Sequence, residues 1–322
     1  MNAFFSPTET IILPCDPKGI EKAVQLIRKG YPVALPTETV YGLAADALSG
    51  EAVARIYQAK GRPSFNPLIV HVADRTQAEH IAEFNEDALA LADKFWPGAL
   101  TLVLPLKKEA KIASIVTAGL DKVAVRMPSH PVIRELLKIC GCPLAAPSAN
   151  KSGSISPTTA LHVKDSLDGK IAAILDGGVS DKGIESTIIS VEADEIKILR
   201  PGPITTEQIA AATHLPIVEY KANGQNPVAP GQMASHYAPS QPVRLDVSKK
   251  DEDEWHIGFG KITGDDNLSS SGDLTEAAAN LFSALHKAEK SGYARIAIAP
   301  IPLNGIGKAI NDRLGRAAAP RN

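Results

Sequence analysis

The stretch Lys60–His71 limits how this chain can fold, because it joins a helix, a cationic turn and a buried strand. In the helix predicted before it, Val53, Ile56 and Tyr57 form an apolar stripe. Lys60 occupies the next position on that stripe, so we expect the end of the helix to direct the Lys60 ammonium group inward. The interior of the fold therefore has to accommodate a positive charge at this point.

The turn that follows suits a chain of phosphates. Lys60 and Arg62 flank Gly61, so both cations and the backbone can approach one anion. A lysine point charge beside a planar arginine fork fits several phosphate oxygens better than a single carboxylate. Two prolines stiffen the turn before the apolar run Leu68–Val70, a predicted buried strand with His71 close to its end. Taken alone, a solvated turn with two charges is an equally good interpretation.

Composition and charge exclude several classes of protein. The 322 residues are a length typical of two domains, and only 5% are aromatic, which argues against base-stacking platforms for single-stranded nucleic acid. The net charge is -2 and neither part of the chain is basic, so sequence-independent binding to nucleic acid is not expected. Cys15, Cys140 and Cys142 form no disulfide framework, and no metal-binding spacing of Cys or His is present. Without a signal peptide or a membrane-length apolar run, we expect a cytoplasmic protein with no metal site of its own.

Short apolar strands alternate with amphipathic helices over the first two thirds of the chain. Predicted helices begin at Asp16-Pro17 and near Ser49, and two more cover Asn85–Phe95 and Pro131–Ile139. The strand candidates are Val33–Leu35, Leu68–Val72, Leu100–Leu104, Val123–Arg126, Leu144–Ala146, Ala172–Leu175, Thr187–Val191 and Ile196–Leu199. Because several strands follow one another late in this region, the pattern favours an α/β fold with a mixed twisted sheet flanked by helices.

Periodicity disappears from about residue 219 and returns after residue 242. The intervening segment is rich in proline but contains His236 and Tyr237, which a passive spacer would not need. Beyond it, two predicted strands and two predicted helices indicate a small α/β, Rossmann-like domain. We therefore divide the chain into an N-terminal domain (1–215), a proline-rich linker or lid (216–242) and a C-terminal domain (243–322).

Polar residues stand at the ends of other predicted strands. Ser148 and Asn150 alternate after the strand Leu144–Ala146, so a hydroxyl and an amide could face one ligand, although turn chemistry is the commoner use. Arg126 ends an otherwise buried strand, where its guanidinium needs an anionic or polar partner such as a substrate carboxylate. The signatures of a P-loop, a dinucleotide-binding fingerprint and a serine hydrolase are missing from the sequence.

Together these features form the motifs of a known family. In order they are Pro36–Leu43, Lys60–Arg62, Asn66–His71, Trp96–Gly98, Val125–Pro128, Pro147–Asn150, Glu185–Thr187 and Arg200–Gly202. In order and spacing they resemble the YrdC-like proteins, and the whole chain resembles the long, two-domain threonylcarbamoyl-AMP synthases. The resemblance is strong over residues 16–213, moderate over the linker, and in the C-terminal domain is carried by Gly305–Arg313.

The resemblance implies a nucleotidyltransferase that makes threonylcarbamoyl-AMP and pyrophosphate from L-threonine, bicarbonate and ATP, with Mg²⁺ accompanying the ATP. The product would pass to a downstream threonylcarbamoyl-transferase complex that introduces threonylcarbamoyladenosine into tRNA. On this interpretation tRNA is an indirect partner and no membrane is involved. Such a reaction needs neutralised phosphates and fixed geometry more than a covalent nucleophile, which agrees with the missing catalytic triad.

The resemblance also implies roles for individual residues. Those expected to bind ATP are Lys60, Arg62, Asn66, Lys122, Ser148, Asn150, Ser156, Arg200, His236 and Tyr237. Catalysis is expected to rest on four of them, Lys60, Arg62, Ser148 and Asn150. Those expected to hold threonine are Thr39, His71, Arg126, the backbone at Ala146, and Ser186, with Arg126 as the fork for the carboxylate. Ala234 stands where some long relatives have a lid aromatic, and His236 or Tyr237 is expected to substitute for it.

Two other functions fit parts of the pattern. A YrdC-like module could bind double-stranded RNA or tRNA without catalysis, but the charge of the chain counts against this. Carbamoyl-transferring enzymes of hydrogenase maturation also contain a YrdC-like domain. They need acylphosphatase and zinc-finger segments, for which this chain has neither the room nor the cysteines.

Overall fold

The protein is described by a computed structural model that covers residues 9–220, 229–231, 233 and 235–320. Within these residues the backbone forms one sheet of eleven strands and one of four. Side by side, the strands of the large sheet are β1 (Ile11–Pro14), β8 (Ala173–Asp176), β2 (Val33–Leu35), β3 (Gly42–Asp46), β7 (Leu144–Ala145), β4 (Ile69–His71), β6 (Lys122–Arg126), β5 (Leu100–Pro105), β9 (Thr187–Val191), β10 (Ile196–Arg200) and β11 (Ile217–Glu219). Labels follow the order along the chain.

Neighbouring strands of the large sheet run both parallel and antiparallel. The pairs β1–β8, β8–β2, β4–β6, β5–β9 and β10–β11 are parallel, and the other five pairs are antiparallel. The prediction of a mixed sheet is therefore confirmed. Helices accompany the sheet at α1 (Pro17–Arg28), α2 (Gly50–Lys60), α3 (Arg75–Ile81), α4 (Glu86–Phe95), α5 (Ser114–Thr117), α6 (Pro131–Cys140), α7 (Ala160–Leu167) and α8 (Thr206–Ala210).

The helix ends follow local sequence signals. The Asp16 carboxylate accepts a hydrogen bond from the Gly19 amide at 2.7 Å, and Pro17 occupies the first helical position of α1. Ser49 caps α2, and Gly61 ends it in the left-handed conformation. Lys60, in the last turn of α2, is only 2% exposed, as the apolar stripe predicts. Because these signals act within one turn of chain, the sequence alone was enough to find them.

Besides β1, which pairs with the distant strand β8, strands β3 and β11 of the large sheet were not predicted, and β11 lies within the segment assigned to the linker. The sequence Gly-Leu-Ala-Ala-Asp of β3 has little intrinsic preference for a strand. It is extended because it pairs with β2 on one side and β7 on the other. Likewise, β11 adds three residues to the edge of the large sheet beside β10. Both segments are extended because they pair with strands that are distant in the sequence, and a local pattern does not reveal such partners.

The small domain has four parallel strands in the order β12 (Val243–Arg244), β15 (Arg295–Ile298), β13 (Glu254–Gly258) and β14 (Asp266–Asn267), with α9 (Leu274–Glu289) and α10 (Gly307–Ala318). This arrangement agrees with the predicted small α/β domain. None of the helices in the described part of the chain has the length and apolar composition needed to cross a bilayer.

The two domains share apolar packing. Val40 and Ile184 of the large domain belong to the same buried cluster as Phe282 of α9. Tyr237 joins this cluster, with its ring centroid 5.5 Å from that of Phe282. Gly183 allows α9 to approach closely, because a Cβ at this position would lie 2.3 Å from the Ala279 carbonyl oxygen. The small domain is thus packed directly against loops of the large one.

We predict that Gly183→Ala destabilises the protein more than Gly141→Ala. Both glycines have positive φ, so each substitution costs about 1 kcal/mol in backbone strain. A Cβ at Gly141 meets nothing within 4 Å, whereas one at Gly183 collides with the backbone of α9. The collision adds about 1–3 kcal/mol. Denaturant titration of both variants measures the difference, and equal losses would refute close packing of the domains.

Candidate active site

A cavity lies over one face of the large sheet. Ile69 and His71, two residues apart on β4, both line it and so point to the same face. Arg126 is the register partner of His71 on the parallel strand β6. The lining residues are Thr37, Thr39, Val40, Gly42, Arg62, Ile69, His71, Arg126, Ala146, Pro147, Ser148, Glu185, Ser186, Arg200, Pro230, Gly231, His236 and Tyr237.

All five residues predicted to hold threonine are among them: Thr39, His71, Arg126, Ala146 and Ser186. Of the residues predicted to bind ATP, Arg62, Ser148, Arg200, His236 and Tyr237 line the cavity. Lys60, Asn66, Asn150 and Ser156 do not line it, but a hydrogen bond connects each of them to a residue that does. Sequence reasoning therefore selected residues that come together from distant parts of the chain.

Lys122 is the exception. Its ammonium group lies 2.7 Å from one oxygen of Glu192 and 2.8 Å from the other. It starts β6, whereas Arg126 ends that strand, which separates the two residues by about 13 Å at roughly 3.3 Å per residue. The structure does not bring Lys122 to the cavity wall, and its predicted contact with the nucleotide remains a prediction.

Arg126 is held by three neutral or acidic partners. Its Nη2 donates to Glu38 Oε1 at 2.6 Å, its Nη1 to Thr39 Oγ1 at 3.0 Å, and its Nε to the Gly98 carbonyl at 3.1 Å. Burial would raise the pKa of Glu38, but the charge and hydrogen bond of Arg126 outweigh it and lower that pKa. The guanidinium is therefore oriented before any ligand binds, with Glu38 as its internal counter-charge.

His71 is neutral in this environment. Burial, followed by the nearby charge of Arg126, lowers the pKa of His71 to about 3. Its Nδ1 lies 3.3 Å from the carbonyl oxygen of Ile69. A neutral imidazole beside a fixed guanidinium suits an amino acid, whose carboxylate needs a cation and whose other polar groups need neutral partners.

Three more buried cations lie in or next to the wall of the same cavity. Lys60 donates to the carbonyl oxygens of Ser148 at 2.6 Å and Asn150 at 2.5 Å. Arg62 donates to backbone carbonyls in its own loop, and Arg200 to the backbone and hydroxyl oxygens of Ser186. The partners found for all three among the described residues are uncharged.

This arrangement leaves the positive charges uncompensated. Burial, and then the neighbouring Arg62, hold the pKa of Lys60 well below its usual range, while Glu185 opposes the effect. The pKa values of Arg62 and Arg200 are also lowered, first by burial. Buried charge without a counter-ion is costly, so the site favours a multiply charged anion such as a polyphosphate.

The loop after β7 is organised by its own polar groups. Ser148 Oγ donates to Asn150 Oδ1 at 2.6 Å, and Asn150 Nδ2 donates to the carbonyls of Lys151 and Ser154. Asn150 therefore shapes the loop, whereas Ser148 lines the cavity, and the two side chains do not face it equally. Asn66 is 1% exposed, and neither atom of its side-chain amide has a hydrogen-bond partner among the described residues.

Residues of the linker close the cavity. Pro230 and Gly231 line it, and the Pro230 carbonyl accepts from Arg200 Nη1 at 3.4 Å. His236 and Tyr237 pack edge to face, with ring centroids 4.1 Å apart. Burial, and then the charges of Arg62 and Lys60, hold the pKa of His236 well below its usual range. Ala234, where a lid aromatic was considered, lies outside the described residues.

Among the cavity-lining residues that belong to its motifs, sequence reasoning missed two with polar side chains, Thr37 and Glu185. Thr37 Oγ1 lies 2.8 Å from Thr39 Oγ1 and donates to the Val40 carbonyl at 2.6 Å, which fixes the loop after β2. Glu185 is the one carboxylate among the described residues that line the cavity. Its position directly before Ser186, ahead of a fully buried strand, was the available signal.

Comparisons with known proteins agree with this geometry. Residues 25–202 match the family model described as telomere recombination, and residues 204–319 match the model described as the C-terminal domain of threonylcarbamoyl-AMP synthase. The first match makes the large domain a member of the YrdC-like class. Because the two models together span nearly the whole chain, the chain belongs to the threonylcarbamoyl-AMP synthase family.

Individual relatives support the same conclusion. A Bacillus subtilis threonylcarbamoyl-AMP synthase is 43% identical over 95% of this chain and 94% of its own length. The Pyrococcus abyssi enzyme of the same name is 41% identical over 94% of each chain. The crystal structure of a P. abyssi protein complexed with L-threonine covers 96% of this chain and 98% of its own, with a TM-score of 0.88 and 38% identity.

We predict that acid weakens folding partly through His71. The unfolded imidazole takes up a proton below about pH 6.5, whereas the folded one stays neutral to about pH 3, so stability is full above pH 6.5 and is lost as pH falls. Between pH 6 and 5 this costs about 1 kcal/mol. Urea titrations should show that His71→Gln removes this part of the pH dependence, while the exposed His80→Gln leaves it. An unchanged slope in His71→Gln would contradict burial of a neutral His71.

Proposed function

We propose that this chain makes threonylcarbamoyl-AMP and pyrophosphate from L-threonine, bicarbonate and ATP. The observation that carries the proposal is that two sets of buried polar residues meet at one cavity. Lys60, Arg62 and Arg200 supply positive charge that suits the phosphates of ATP, and Arg126 with the neutral His71 forms an amino-acid site. Relatives of nearly equal length carry this activity in their names.

On the threonine side, Arg126 binds the carboxylate. Thr39, His71, Ser186 and the backbone at Ala146 contact the rest of the amino acid. The relative crystallised with L-threonine supports this assignment, since it matches this chain over almost its full length. Glu38 already forms an ion pair with Arg126, so charge alone does not select the ligand. The site therefore selects threonine by the geometry of its hydrogen-bond donors as well as by charge.

On the ATP side, the cations bind the phosphates. Lys60 uses two of its three N–H donors on backbone carbonyls, which leaves one for a phosphate oxygen. Arg62, Arg200 and the Ser148 hydroxyl lie on the same cavity wall, while Asn150 and Ser156 position the loops behind it. The Asn66 amide, for which the described part of the chain supplies no hydrogen-bond partner, and the rings of His236 and Tyr237 complete the nucleotide site.

The proposed reaction follows from binding threonine and ATP next to each other in one cavity. The amine of threonine combines with CO₂, derived from bicarbonate, to give a carbamate and a proton. A carbamate oxygen attacks the α-phosphorus, and the bond to the bridging oxygen breaks to release pyrophosphate. Lys60 and Arg62 stabilise the charge that develops on the phosphates, and no protein nucleophile is required. The linker excludes water, which would decompose both the carbamate and the mixed anhydride.

Mg²⁺ enters this scheme with ATP, held by its phosphates. No group of three His, Cys, Asp or Glu side chains that could hold a metal ion occurs among the described residues. The product passes to a threonylcarbamoyl-transferase complex in the cytoplasm, so tRNA is an indirect partner. Residues 1–215 act as the catalytic domain, 216–242 as the lid and 243–322 as the second domain.

We predict that pyrophosphate release from ATP requires threonine and bicarbonate together and needs no tRNA. The carbamate, which is the nucleophile of the proposed reaction, forms only when both are present. A coupled pyrophosphate assay with each component omitted in turn tests this. Equal turnover without threonine, or without bicarbonate in CO₂-free buffer, would refute the proposed reaction.

We predict that Arg126→Gln weakens threonine binding about ten- to a hundredfold, because a charge-assisted hydrogen bond at a buried site contributes about 1.5–3 kcal/mol. The double variant Arg126→Gln with Glu38→Gln avoids leaving Glu38 buried and unpaired, and should bind threonine equally weakly. Lys60→Ala is the reciprocal control, with impaired ATP use and threonine binding retained. Calorimetry with threonine alone measures the first effect, and unchanged affinity in a folded variant would contradict the role of Arg126.

A further inference from the structure

Arg313 of α10 brings a guanidinium of the small domain against Glu185, a residue of the cavity wall. The side chain is 0% exposed although α10 lies at the end of the chain. Its Nε donates to Glu185 Oε2 at 3.0 Å, and its Nη1 donates to the Pro201 carbonyl at 2.7 Å. Both acceptors belong to the large domain, in loops next to the cavity. Arg313 lies in the C-terminal motif of the sequence, to which the proposed reaction assigns no role.

The Glu185 carboxylate is held at both oxygens. Oε2 accepts from Arg313, and Oε1 accepts from Ser156 Oγ at 2.5 Å. The next residue, Ser186, accepts from Arg200 through its backbone and hydroxyl oxygens. Arg313, Glu185 and Ser156 thus form a chain of contacts from the second domain to the wall of the ATP side.

This chain of contacts affects whether the Glu185 carboxylate can pair with the buried cations. Glu185 is the carboxylate among the described cavity-lining residues, and its charge acts on Lys60. A free carboxylate at this wall would pair with the buried cations and compete with phosphates for them. Arg313 prevents this because its fork binds Glu185 from the side of the small domain. The cations then remain available for the nucleotide.

The same helix also supports the lid. The Arg313 guanidinium carbon lies 5.4 Å from the centroid of the Tyr237 ring. Arg316, one turn further along α10, donates to the Met233 carbonyl at 2.7 Å, and its own carbonyl accepts from the His236 amide at 3.2 Å. Tyr237 has a φ of 62, an uncommon conformation for a tyrosine that its surroundings must maintain. One turn of α10 therefore contacts both Glu185 and the lid.

We propose that Arg313 is a positioning residue for ATP, and that the second domain serves this reaction by holding Glu185 away from the phosphate-binding cations and Tyr237 over them. The inference rests on the proposed function for its ATP site. It assigns to the C-terminal domain a part in nucleotide binding, whereas threonine binding is centred on Arg126, whose hydrogen-bond partners Glu38, Thr39 and Gly98 all belong to the large domain.

The test compares binding of two ligands to four full-length proteins: the parent, Arg313→Gln, Arg313→Gln with Glu185→Gln, and Arg295→Gln. Arg295 is the matched control, since it is a partly exposed, ion-paired arginine of the same domain. The probes are α,β-methylene-ATP with Mg²⁺, which cannot release pyrophosphate, and L-threonine, each measured by calorimetry. A thermal melting curve of each protein shows whether it is folded.

We expect Arg313→Gln to weaken binding of the ATP analogue at least tenfold, with threonine affinity within twofold of the parent. Glutamine at position 185 removes the competing charge but still accepts from Ser156, so the double variant should recover to within about threefold of the parent. Arg295→Gln should match the parent for both ligands. Recovery on removing a second charge is not expected of a purely structural role.

Three results would overturn the inference. The first is unchanged affinity for the ATP analogue in folded Arg313→Gln. The second is a double variant that binds the analogue no better than the single one, and the third is an equal loss of affinity for both ligands. Because these are binding measurements, they stand apart from turnover: if the parent binds both ligands but releases no pyrophosphate, the proposed reaction fails while the role of Arg313 is still decided.

Discussion

The structure depends on positive charge that is buried with no ion-pair partner among the described residues. Lys60, Arg62 and Arg200 are all less than a tenth exposed, and their hydrogen-bond partners are backbone carbonyls and a serine hydroxyl. Carbonyl dipoles orient a cation without neutralising it, so the electrostatic cost is relieved only when an anion binds. The loops that carry these carbonyls must therefore be fixed, and the loop after β7 is held by hydrogen bonds of the Ser148 and Asn150 side chains.

The second domain extends this constraint beyond the large sheet. Its apolar face packs on Val40 and Ile184, and its last helix brings Arg313 to Glu185. A carboxylate close to the cations would satisfy them internally and leave nothing for a phosphate. Pairing that carboxylate with a guanidinium from another domain keeps the opposite charges apart within one small volume. The arrangement links domain packing, lid position and ligand charge in a single set of contacts.

Much of the fold could be predicted because its signals are local. Asp16 and Pro17 begin α1, Ser49 begins α2, and the stripe on α2 placed Lys60 inside, each within a few residues of chain. The strand β3 was missed because its glycine- and alanine-rich sequence is extended only by pairing with β2 and β7. Nothing near it in sequence indicates those partners.

The sequence by itself determined the chemistry available: the cations at both ends of the Lys60–Arg62 turn, the arginine that ends β6, and the motifs that name the family. Tertiary structure decided how that chemistry is used. It placed Glu38 against Arg126, paired Lys122 with Glu192 instead of bringing it to the cavity, and brought Arg313 from the far end of the chain to Glu185. The sequence specifies which residue types are present. The partner of a buried charge, however, is the group that tertiary packing brings within hydrogen-bonding distance, and local sequence does not reveal which group that is.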